Sequence, residues 1–113
     1  PNHRYRAPLT ADRSGLQIRA HSAGGVIEEV APGSAGAAVG LSFRIEDAPD
    51  WLRTGITLLD TVVQVGPCQL RGNLAVRYVK LEDDATVAGG IFYPATEADE
   101  ERLMSVIAGI EAV

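Results

Sequence analysis

Leu70-Arg71-Gly72-Asn73-Leu74-Ala75-Val76-Arg77-Tyr78 alternates without a break, with Leu70, Gly72, Leu74, Val76 and Tyr78 set against Arg71, Asn73, Ala75 and Arg77. A period of two is that of a pleated strand, so the aliphatic set faces one side of a sheet and the arginines the other. Glu82-Asp83-Asp84 then reads as a solvated hairpin loop, and Val87 to Tyr93 as the last strand, stopped by Pro94. The Gly89-Gly90 pair inside it marks a bulge or a place where another backbone comes close. Thr96 follows as an N-cap, with Asp99 three residues on in the capping-box position and Glu97, Glu100 and Glu101 adding charge that suits the positive end of a helix. Leu103, Val106, Ile107 and Ile110 recur at helical spacing, while Ala98, Arg102 and Ser105 fall off that stripe. A helix over 96–111 with one narrow apolar face must dock, and a sheet is the available partner.

Upstream, Pro1 to Pro8 carries two prolines, two arginines and a histidine with no period, and reads as an extended basic arm. Leu9 to Ala20 is a strand, Ser22-Ala23-Gly24-Gly25 a turn, and Val26 to Val30 the returning arm of a hairpin. Pro32-Gly33-Ser34-Ala35-Gly36 breaks the chain before a strand over Ala37 to Ile45. Glu46 to Thr54 is a loop whose Trp51 plugs an open end of the core. From Gly55 a β-branched segment carries Ile56, Leu58, Val62 and Val65 to a stop at Gly66-Pro67. About six short strands and one closing helix imply an all-β body with a C-terminal α-helix, closed into an antiparallel β-barrel, since closure removes unpaired edges. The expected layout is one domain over 1–113: arm 1–8, barrel 9–94, helix 96–111.

A length of 113 residues suits one core, and 46% hydrophobic residues are enough to build it. No apolar run approaches the roughly 18 residues of a membrane span, so no membrane insertion is expected. Fifteen acidic against ten basic residues give a net charge of -5, which argues against nucleic acid as a partner because phosphate neutralisation supplies most non-specific affinity. The charge is uneven: Arg4, Arg6, Arg13 and Arg19 lie in the first twenty residues, and a basic arm of that kind can hold a small anion. Cys68 is the only cysteine, which excludes an internal disulfide and points to a reducing, cytoplasmic setting. With His3 and His21 far apart, no zinc site is expected. The chain opens on Pro1 rather than Met, as expected of a segment cut from a longer protein.

Gly55-Ile56-Thr57-Leu58, Leu70-Arg71-Gly72, Val76-Arg77-Tyr78-Val79 and Gly90-Ile91-Phe92-Tyr93-Pro94, followed by Glu100-Glu101-Arg102-Leu103, resemble the last strands and closing helix of the PilZ family. The resemblance covers nearly the whole chain and implies a six-stranded antiparallel barrel that commonly binds cyclic di-GMP. It also implies a regulatory role in bacterial motility or exopolysaccharide signalling. The family's ligand signature is two arginines four positions apart, then a short turn of Asp or Asn, any residue, Ser, two residues and Gly. Arg6 matches the second arginine; Asn2 stands where the first belongs, and Arg4 is the nearest substitute. Pro32-Gly33-Ser34-Ala35-Gly36-Ala37 is the closest segment to the turn, keeping Ser34 and offering Gly36 one residue early; a second register, Ala20 to Gly25, keeps Ser22 and Gly25. The resemblance therefore implies Arg4, Arg6, Ser34 and Gly36 as contacts to a cyclic dinucleotide phosphate. Two guanidinium groups can fork onto phosphate oxygens, and losing one such pair costs about 1.5–3 kcal/mol. A degenerate member that acts through a protein partner, or through other domains of its parent chain, stays open beside it.

Ser14-Gly15-Leu16-Gln17-Ile18 with Gly25 to Ala35 and Val39-Gly40-Leu41 resembles, over about thirty residues, a PDZ peptide-binding domain in which a peptide adds as a strand beside a Gly-Leu loop. The Gly-Asp expected soon afterwards is absent from Ser42-Phe43-Arg44-Ile45. No enzyme is expected. Asp99, Glu100 and Glu101 read as a solvated, dipole-favoured first turn rather than an acid–base pair. His3 and His21 have no spacing to a nucleophile, Cys68 reads as a small buried hydrophobe, and the glycine pairs lack the strand-loop-helix setting of a phosphate cradle.

Overall fold

β-branched and aromatic residues in alternation leave the chain few options but pairing. In chain order the elements are β1 (Gly15–Ile18), β2 (Ala23–Pro32), β3 (Val39–Ile45), β4 (Thr57–Val65), β5 (Cys68–Glu82), β6 (Ala85–Pro94) and α1 (Glu97–Glu111). The structure, a computed structural model, describes residues 15–18, 23–32, 38–65 and 68–111. Neighbouring strands run antiparallel in the order β1-β2-β3-β6-β5-β4, and β1 pairs with β4 to close the ring. The expected antiparallel β body with a single C-terminal helix is present. The expected basic arm over 1–8 lies outside the described residues.

The inner face is lined by Ile27, Leu41, Phe43, Leu58, Val63, Leu70, Leu74, Val76, Ala88 and Phe92, all buried. Two caps complete it. β3 ends and β6 begins together, at Ile45 opposite Thr86, and the segment leaving there sends Leu52 into the core with Ala48, Trp51 and Ile56 packed against it. Trp51 thus covers an end of the core, as its sequence setting suggested. The helix leaves from the opposite end of β6, bringing Leu103 into the core and Val106 against it. Cys68 is a free thiol packed against the same core at partial exposure.

The strands depart from simple alternation where the ring must bend. Val76 pairs with Gly90 but Tyr78 with Gly89, so Arg77 is an extra residue. The period-two reading put Tyr78 on the aliphatic face; the bulge turns it outward, and Val79 packs inward instead. Of the two readings of Gly89-Gly90, the close backbone approach holds at Gly90, and the bulge sits on the strand opposite them. A methyl on Gly90 would run into the Ala75 carbonyl, and one on Gly89 would meet the Tyr78 ring at 2.5 Å. A second bulge lies in β4 between Leu58 and Thr61, where Asp60 has a φ of 50°. There the fully buried Thr61 hydroxyl donates to the Leu58 carbonyl at 3.0 Å, and Leu59 is left exposed. The bulge also moves Val63 into the core position and Val62 to the other face. Gly24 and Gly25 were expected in a turn; they lie in β2, opposite Gln17 and Leu16.

Glu82 and Ala85 pair across a two-residue turn whose central residues, Asp83 and Asp84, have φ of 48° and 67°. Positive φ at both positions is the twist a tight hairpin requires, and aspartate tolerates it better than most side chains.

Candidate functional site

The four residues singled out from the sequence, Arg4, Arg6, Ser34 and Gly36, lie outside the described residues, as do His3 and His21. The structure describes the chain on either side of two of them, Ser34 and Gly36. Pro32, the last residue of β2, pairs with Val39, the first of β3, and Val39 pairs with Phe92 near the end of β6. An outward face runs across β3, β6 and β5. Because Leu41 and Phe43 point inward, Gly40 and Ser42 point outward. Ser42 pairs with Gly89, itself opposite Tyr78, and Gly40 pairs with Ile91. Only the Ser42–Gly89 step of this strip has a floor of small residues, covered by the Tyr78 ring; Ile91 stands opposite Gly40, and exposed Tyr93 lies farther along β6, across from Asn73. The Lys80 ammonium stands 5.9 Å from the Tyr78 ring centroid. Two phenol rings and one cation can stack and hydrogen-bond a ligand or a peptide; this set offers no nucleophile paired with a base.

Arg71 and Arg77 are exposed, as the alternation of β5 predicts. Arg71 has a second role that its side chain did not advertise. Its carbonyl accepts from the Ala95 N–H at 2.9 Å, while its own N–H donates to Asp99 Oδ1 at 3.0 Å. The carboxylate therefore stands in for the next acceptor of the β5–β6 ladder and ties the helix to the sheet. Thr96 Oγ1 accepts from the Asp99 N–H at 3.1 Å and donates to Asp99 Oδ2 at 2.6 Å, and Arg102 stands 3.4 Å from Oδ1.

Asp99 was expected to be solvated like Glu97, Glu100 and Glu101. Those three are exposed, but Asp99 is only 7% exposed. Burial works to raise its pKa, yet the bonds from the Thr96 hydroxyl and the Arg71 amide, with the positive charges of Arg102 and Arg71, outweigh it and hold the carboxyl below its ordinary value. An ionised, doubly bonded aspartate is a latch, not a proton donor.

Sequence reasoning missed a charge network on the outer face. Arg44 on β3 reaches Glu28 on β2 at 3.4 Å and Glu82 on β5 at 3.5 Å, and Lys80 stands 3.4 Å from Glu82. The partners are 16 and 38 residues apart, so no local pattern could have announced them.

Both sides of Gly15–Ile18 are occupied, by β2 and by β4. No peptide can add there as a strand, which corrects the alternative of a peptide groove beside Leu16 to Ile18. Among the described residues no cluster of three or more His, Cys, Asp or Glu is placed to hold a metal ion, and no helix is long and apolar enough to cross a membrane. Comparison with protein families, with curated proteins and with solved structures finds no match to this chain.

Proposed function

We propose that this chain is a PilZ-like regulatory binding domain of a bacterial protein, a six-stranded barrel that works by binding rather than by catalysis. One observation carries the reading: the antiparallel ring β1-β2-β3-β6-β5-β4 with a helix returning to seal it, latched by Asp99 to β5. Its ligand is a cyclic dinucleotide such as cyclic di-GMP, taken through phosphate by Arg6, assisted by Arg4, with Ser34 and Gly36, which lie in sequence between β2 and β3. The arginine pair is incomplete at Asn2, so affinity is roughly tenfold to a hundredfold below that of a complete pair. The setting is cytoplasmic.

Titration of the chain with cyclic di-GMP by calorimetry tests this directly. Heat of binding that is lost in Arg6→Ala supports the assignment. Silence at millimolar ligand leaves the second reading, a degenerate domain acting through protein contacts, favoured by the exposed tyrosines of the outward strip. Heat unchanged in both Arg6→Ala and Arg4→Ala would remove the proposed contacts.

A further inference from the structure

The longest strand outruns its partner. β4 pairs with β5 from Val65 opposite Cys68 to Thr57 opposite Ala75, and Gly55 and Ile56 add bonds to Val76. Beyond Val76, among the described residues, no backbone group bonds to that edge of β5, although its other edge stays paired with β6 to Glu82. The direction of the free groups follows from the turn. Glu82 and Ala85 close a two-residue hairpin, so Glu82, and by alternation Lys80 and Tyr78, aim their N–H and C=O at β6. Val79 and Leu81 aim theirs outward. Leu81 is 79% exposed, the most exposed large apolar side chain described, and it lies between Lys80 and Glu82.

We infer that this edge pairs with the same edge of a second copy of the chain, antiparallel about a two-fold axis beside Leu81. In that register Leu81 meets Leu81 of the second copy and exchanges both backbone hydrogen bonds with it, while each Lys80 stands directly opposite a Glu82. The neighbouring registers lack this fit: centring on Lys80 sets two lysines together, and centring on Val79 sets Lys80 against Tyr78 and Arg77 against Leu81. Charges of opposite sign equidistant from the axis make the edge complementary to itself and not to an arbitrary strand. A lysine on an edge strand discourages pairing; here Lys80, which in the single chain stands 3.4 Å from its own Glu82, meets a second carboxylate, the Glu82 of the other copy. The paired length ends at Asp83, whose positive φ turns the chain away, so the association is weak and salt-sensitive.

Sedimentation equilibrium from about 10 μM to about 1 mM protein at low salt tests the inference, spanning the weak range in which so small an interface falls. The average mass should rise from monomer toward dimer as concentration rises. Leu81→Pro removes an N–H that points away from β6, so it keeps the fold and loses the dimer. Lys80→Glu and Glu82→Lys should each be monomeric, and an equimolar mixture of the two should associate, because the two adjacent acids of the first variant then face the two lysines of the second. This charge-reversal pair decides the matter if the proline variant does not fold. A chain that stays monomeric throughout, a dimer indifferent to Leu81→Pro, or a mixture that does not associate overturns the inference.

Discussion

Replacing Asp99 by Asn probes the joint on which the helix depends. The two carboxylate oxygens accept from two different donors, the Thr96 hydroxyl at 2.6 Å on Oδ2 and the Arg71 amide at 3.0 Å on Oδ1. Asparagine has the same shape but one acceptor oxygen, so its NH2 must face one of those donors. Hydrogen bonds to a charged group are worth about 1.5–3 kcal/mol each, and two sharing one carboxylate are not additive, so the expected loss at neutral pH is about 2 kcal/mol. In a domain of this size that lowers the midpoint of thermal unfolding by about 8–16 °C. Arg102→Ala is the control: its guanidinium is over half exposed and 3.4 Å from Oδ1, so it should cost no more than about 0.5 kcal/mol. Because Asp99 titrates below the ordinary aspartate value of 3.8 when folded, its contribution is fully present above that value and is lost as pH falls through the folded pKa. The gap between wild type and Asp99→Asn should therefore be constant from pH 7 to about pH 5 and shrink in stronger acid. Urea unfolding followed by circular dichroism at a series of pH values measures all of this. A variant within about 0.5 kcal/mol of wild type at pH 7, or a gap that widens in acid, would refute the latch.

Gly90→Ala drives a methyl into the Ala75 carbonyl, and because both neighbours are paired backbone the expected destabilisation is about 3 kcal/mol, read from the same unfolding curves. Gly89→Ala meets only the movable Tyr78 ring; it should cost less than half as much and increase quenching of tyrosine fluorescence by iodide. Asp84→Gly should stabilise by about 0.5 kcal/mol, since glycine takes a positive φ without steric penalty and favours the two-residue turn. Arg44→Met, which cuts the links to Glu28 and Glu82 at partly exposed positions, should cost under about 1 kcal/mol, and the difference should vanish in 1 M salt.

Arg71 and Arg77 were placed on the outer face by alternation alone, and both are exposed. Asp99 was recognised as a capping residue but not as a sheet acceptor, because its second partner is 28 residues away in β5. Tyr78 was assigned to the wrong face because a bulge adds a residue without leaving a mark in the local period. The outward strip of Gly40, Ser42 and Gly89 is equally illegible in sequence, since its members come from two strands whose pairing spans some fifty residues.

By itself the sequence determined the local elements: the period of two in Leu70 to Tyr78, the aspartate turn at Asp83-Asp84, the stop at Pro94, and the Thr96 cap that starts the helix. These depend on φ preferences and on side chains within four or five residues of one another. Only the tertiary structure decided the closure of β1 on β4, the bulges at Asp60 and Arg77, the burial of Asp99 and the edge at Val79 and Leu81 that has no backbone partner among the described residues. Each follows from bending a finite sheet back on itself, a requirement on distant strands together that no single segment encodes.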